Sequence, residues 1–99
     1  MPTKEDAEKT ALTILEKRLA ACVQIIGPIA SMYRWKGNIE TAQEWQCLIK
    51  SRKDLFGNLV ESITADHPYE TPEIIATAIS AGSGDYLKWL QDELKTTGR

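Results

Sequence analysis

Apolar residues along this 99-residue chain recur first at helical spacing, then crowd and alternate, then return to helical spacing. Over residues 3 to 19, Ala7, Ala11, Ile14, Leu15 and Leu19 fall three or four positions apart and draw one stripe of a helix. Thr3 followed by Asp6 makes a capping-box-like start, and the acidic first turn suits the helix dipole. Residues 20 to 35, AACVQIIGPIASMYRW, are β-branched and aromatic and predict one long strand with a bend or bulge at Gly27-Pro28. Lys36-Gly37-Asn38 is a turn signal, and residues 39 to 51 predict the returning strand of a hairpin. Ser51 with Asp54 opens a second helix over residues 53 to 65, with Leu55, Phe56, Leu59, Val60 and Ile63 as its inward stripe. Pro68 ends it. PEIIATAIS, residues 72 to 80, predicts a third strand covered on both faces, and Gly82-Ser83-Gly84-Asp85 opens a last helix, with Tyr86, Leu87, Leu90 and Leu94 toward the sheet.

The order helix, strand, strand, helix, strand, helix fits an α/β (α+β) domain over residues 1–99, one sheet with helices on one face. Its strands carry Met32, Tyr33, Trp35 and Trp45 besides many aliphatics, more than one covered face can hold. The second face is expected to meet other copies of the chain, making a homo-oligomer.

Composition narrows the function classes. A net charge of −2 with scattered basic residues disfavours nucleic-acid binding. No segment approaches the length of a membrane span, and MPTKEDAEKT lacks both the apolar core of a signal peptide and the arginine bias of a transit peptide, so a cytoplasmic protein is expected. Cys22 and Cys47 form no C-x-x-C pair. The hairpin places Cys22 near Lys50 or Ser51 and Cys47 near Ile26, about 10–13 Å apart, too far for a disulfide. No nucleophile with a second histidine, no P-loop and no dinucleotide fingerprint occurs, and no enzymatic activity is expected.

The one histidine lies in HPYETPEI, residues 67 to 74, between Pro68 and the end of a helix. Its imidazole can serve as a metal ligand or as a cation closing the carbonyl end of that helix.

EKRLAACVQI, SMYRWKG, the hairpin leading to LIKSRKDLF, HPYETPEI and DYLKWL occur here in one order, and together they resemble the CutA family of divalent-cation tolerance proteins over almost the whole chain. The resemblance implies a ferredoxin-like fold, a homotrimer similar in plan to the PII signalling proteins, and a cytoplasmic role linked to copper and other divalent metals. It implies a metal role for His67, with Asp66, where some relatives have a second histidine, and Cys22, a soft ligand suited to Cu(I), as further candidates. Tyr33, Trp35, Tyr69, Glu70 and Trp89 are the candidate walls of a cleft between subunits. That cleft motivates an alternative function, a PII-like small-ligand trimer; a structural trimeriser of a partner protein is another. Members of the family usually carry an apolar strand before the first helix, central in the sheet, whereas this sequence opens on Met1-Pro2-Thr3. A downstream start, a truncation and a substitute segment are the three readings of that difference. Loss of that strand would leave its two neighbours with unpaired backbone groups.

Overall fold

The computed structural model describes residues 1–96. Its elements are α1 (Lys4–Glu16), β1 (Cys22–Trp35), β2 (Asn38–Lys50), α2 (Phe56–Asp66), entered through a single 3-10 turn at Lys53–Leu55, and α3 (Gly84–Glu93). The molecule is thus α+β, a two-stranded antiparallel sheet with three helices.

Helix α1 starts where Thr3 Oγ1 accepts the Asp6 N–H at 3.0 Å. It ends three residues short of the expected Leu19. Arg18 takes a left-handed backbone (φ 59°), its N–H bonds Leu15 O, and the Leu19 N–H bonds Ile14 O. These two bonds are a Schellman turn, here with arginine in the place glycine usually fills. The turn returns Leu19 to the core. Leu15, expected in the buried stripe, is exposed, and Thr10 is buried instead.

The hairpin turns at Lys36 and Gly37, both at positive φ, as a tight two-residue connection requires. Pairing runs from Trp35↔Asn38 to Cys22↔Lys50, with one irregularity between Ile26 and Ile29, at the expected bulge. There the Trp45 indole lies so close over Gly27 that a Cβ would collide with the ring. Cys47 pairs with Ile25, one rung from the expected Ile26, and so stands three rungs from Cys22 and on the opposite face.

Ser51 does not cap α2; its hydroxyl donates to Leu19 O at 2.6 Å, tying the end of β2 to the end of α1. The core gathers Ile14 and Leu19, Leu55, Leu59 and Ile63, and Leu90 and Leu94 against Val23 and Ile49, which are partners across the ladder. All three helices therefore share the Val23–Ile49 face. Tyr86 and Leu87, expected to face the sheet, are exposed.

Two departures matter for the site. Residues 72–80, expected as a third strand, form none; among the described residues no ladder includes them. Only Ile74 packs against the core. The far half of the hairpin also runs past the helices, with Met32 74% and Ile39 68% exposed, and stretches the molecule to 44 Å along its long axis.

Candidate functional site

The bend after α2 is built by His67. Its backbone N–H still bonds Ile63 O at 2.9 Å, as a last helical turn does. Its own backbone is already extended (ψ 134°), as the following Pro68 demands. Among the described residues the imidazole makes no hydrogen bond to a helix carbonyl. Nδ1 instead accepts the Tyr69 N–H at 3.0 Å, closing the turn across the proline. The two rings lie 4.6 Å apart, tilted by 52°. Burial, then the N-terminal ammonium, lowers the His67 pKa from 6.5, against a weaker pull from Glu44 and Asp6. The ring is therefore neutral near pH 7, with its proton on Nε2 because Nδ1 is accepting.

Tyr69 reaches back to the hairpin. Burial, hydrogen bonding to Glu44 and the Glu44 charge push its phenol up to about 12. Glu44 is held below the usual carboxylate range first by the Ser31 hydroxyl and, against the cost of its burial, also by Tyr69 and the N-terminal ammonium. Ser31 pairs with Ala42, so Ser31 and Glu44 are diagonal neighbours on one face of the hairpin. The fold thus brings Ser31, Glu44, His67 and Tyr69 within electrostatic reach of one another, with Tyr33 near enough to act on the Tyr69 phenol. Only His67, Tyr69 and Tyr33 of this group were readable as candidates. Glu44 is one of several glutamates on an ordinary-looking strand, and the alternation that places Ser31 beside it says nothing of Tyr69.

The remaining candidates lie elsewhere. Asp66 is the exposed last residue of α2. Cys22 is half-buried at the first rung of β1, far along the strand from Tyr33. Trp35 sits at the hairpin tip with the Lys36 ammonium 5.8 Å from its ring centre. Trp89 packs against Tyr86 of its own helix, ring centres 5.6 Å apart and tilted by 40°. Glu70 is exposed in the bend. Among the described residues no three histidine, cysteine, aspartate or glutamate side chains gather as a metal-binding group. One chain therefore brings neither Cys22 nor a full ligand set to His67.

Residues 1–93 match the model of the family described as CutA1 divalent ion tolerance protein. The chain belongs to the CutA1 family. It is 41% identical to the divalent-cation tolerance protein CutA of Thermus thermophilus over 93% of this chain and 89% of that one. It is 46% identical to a Protein CutA homolog of Danio rerio over 92% of this chain and 61% of that one. Across the curated relatives it matches, the chain spans from about half to about nine tenths of their length. The solved structure of the Thermus thermophilus CutA1 superposes with a TM-score of 0.94 at 40% identity, covering 96% of this chain and 92% of that one. A protein of Archaeoglobus fulgidus described as a periplasmic divalent cation tolerance protein superposes at 0.92, with 39% identity over 95% and 91% of the two chains. No described helix is long and apolar enough to cross a membrane.

Proposed function

We propose that this CutA1-family chain takes part in divalent-cation tolerance as a non-enzymatic, cytoplasmic homotrimer of ferredoxin-like subunits. Copper or another divalent metal is its cargo. His67 supplies a nitrogen ligand, and a neighbouring copy completes the set, with Asp66 and Cys22 as candidates. The observation that carries this reading is a mismatch. One chain gathers no group of three ligands among its described residues, yet leaves a long apolar hairpin uncovered. A site shared between copies answers both.

The His67 geometry sets a condition on the metal. Ligation through Nε2 requires the ring proton to sit on Nδ1, which breaks the bond from the Tyr69 amide. Losing one such bond costs about 1 kcal/mol, roughly five- to tenfold in affinity. That is small beside a metal–imidazole bond, so the ring can serve, at reduced affinity. Calorimetry with Cu(II) and Zn(II) tests the reading. Binding by the wild type and at least tenfold weaker binding by His67→Ala is expected; equal affinity in the two removes the imidazole from the site.

A second reading rests on Glu44 and Tyr69. A carboxylate and a phenol joined beside Tyr33 could line a cleft for a small ligand, with Trp35, Glu70 and a neighbouring copy's Trp89 as further walls, as in PII proteins. A thermal-shift screen of nucleotides and organic anions separates this reading from the metal one.

A further inference from the structure

A groove of about 490 Å³ lies between the end of α1, one side of α2 and the chain just past α3. Its α2 wall is Asn58, Glu61, Ser62 and Ala65. These recur three and four residues apart and so share one side of the helix. Lys17, the C-cap of α1, stands opposite, and its Nζ donates to Ser62 Oγ at 3.1 Å. Lys95 lines the groove as well; its N–H is bonded to Arg18 O at 2.9 Å, next to Lys17 in the chain. Leu19, returned to the core by the turn at Arg18, supplies apolar wall.

Two cations and a hydroxyl in this groove lack an anionic partner. Ser62 is buried, with 8% of its surface exposed. Its oxygen accepts from Lys17, which leaves its O–H to donate. A helical hydroxyl can spend that proton on the carbonyl one turn back, as Thr13 does on Lys9 O at 3.0 Å. Ser62 makes no such bond among the described residues. Lys17 and Lys95 form no ion pair among the described residues, not even with Glu61. A lysine that served only the α1 dipole would do so from solvent. Lys17 instead sets its ammonium against a buried hydroxyl, and the two make adjacent donors for one anion.

We propose that this groove binds a small organic carboxylate. One carboxylate oxygen accepts from Lys17 Nζ and the other from the Ser62 hydroxyl. Lys95 is the second cation, and the apolar body of the ligand lies on Leu19 and Ala65. Glu61 offsets one of the two lysines and leaves a single net positive charge. That charge matches a monoanion and disfavours the second charge of a phosphate monoester. The volume falls within the range of small-molecule sites, about 300–1,000 Å³, far more than a bare anion fills. None of these side chains belongs to the His67 cluster, so the proposal stands apart from the metal reading.

The full chain, freed of metal on a chelating resin, is titrated with sodium isovalerate while backbone amide NMR shifts are followed. Isoamyl alcohol, its uncharged counterpart, and sodium chloride are run in parallel. Saturable shifts centred on Leu19, Ser62, Ala65 and Lys95 are expected with isovalerate, at a concentration about tenfold lower than for either control. Lys17→Gln and Ser62→Ala should each weaken isovalerate binding by about three- to tenfold. No saturation, an equal response to chloride or to the alcohol, or an affinity unchanged in both variants overturns the proposal. The comparison with the alcohol uses the unaltered chain, so it decides the matter whether or not a variant folds.

Discussion

At the scale of one residue, His67 turns on which nitrogen carries the proton. Its Nδ1 must keep a lone pair for the Tyr69 N–H, so a second ring proton breaks the bend. Because the folded pKa lies below 6.5, the unfolded chain binds this proton more readily, and the stabilisation is lost as pH falls from 6.5 through the folded value. Glu44 has the same sign at lower pH: its depressed pKa contributes stability above 4.5 that disappears on further acidification. Urea unfolding at a series of pH values should therefore show stability falling on acidification in two stages. His67→Gln should flatten the upper stage and Glu44→Gln the lower. Identical profiles in wild type and His67→Gln would show that the ring is not held neutral. None of this was visible in HPYETPEI. The histidine and prolines announce a rigid bend, but the acceptor role of Nδ1 is a matter of one torsion.

At the scale of elements, what the sequence disclosed follows from how local each element is. The Thr3 start of α1 and the Lys36-Gly37 turn are written within a few residues and appear where expected. The end of α1 was not legible, because no glycine marks it. Arg18 holds that strained position and uses its side chain at the same time. Nε donates to Glu93 O at 2.9 Å and Nη2 to Asp92 O at 3.0 Å, so the guanidinium caps the carbonyl end of α3. Its own C=O accepts the Lys95 N–H, and Arg52 bonds Lys95 O. Arg18→Ala should cost about 1–2 kcal/mol in urea unfolding, since it loses the cap and keeps the left-handed backbone. Arg18→Gly should cost less, because glycine relieves a strain of about 1 kcal/mol. Equal losses would show that the backbone strain is negligible. Residues 72–80 lie at the other extreme: a strand exists only with a neighbour, and no propensity supplies one.

For the whole molecule, the decisive quantity is apolar surface without cover. Met32, Ile39, Tyr33 and Trp35 crowd the far half of the hairpin, where they are exposed beyond the described helices. The excess of apolar strand residues was plain in the sequence; which half of the hairpin would be bare depended on where the helices stop. The same holds for Glu44, which only the folded chain sets beside Tyr69. Light scattering at micromolar concentration should give about three times the 11.1 kDa chain mass, and the double variant Met32→Glu with Ile39→Lys should fall toward one. A wild-type mass of a single chain refutes the assembly.

Cys22 and Cys47 lie on opposite faces of the hairpin, both half-buried, Cys47 on the face that carries the helices. Oxidants can therefore join them only between molecules, never within one. The same separation gives the protein one natural reporter per face: the rate at which a thiol-specific dye labels each, before and after a candidate partner is added, tells which side of the sheet that partner covers.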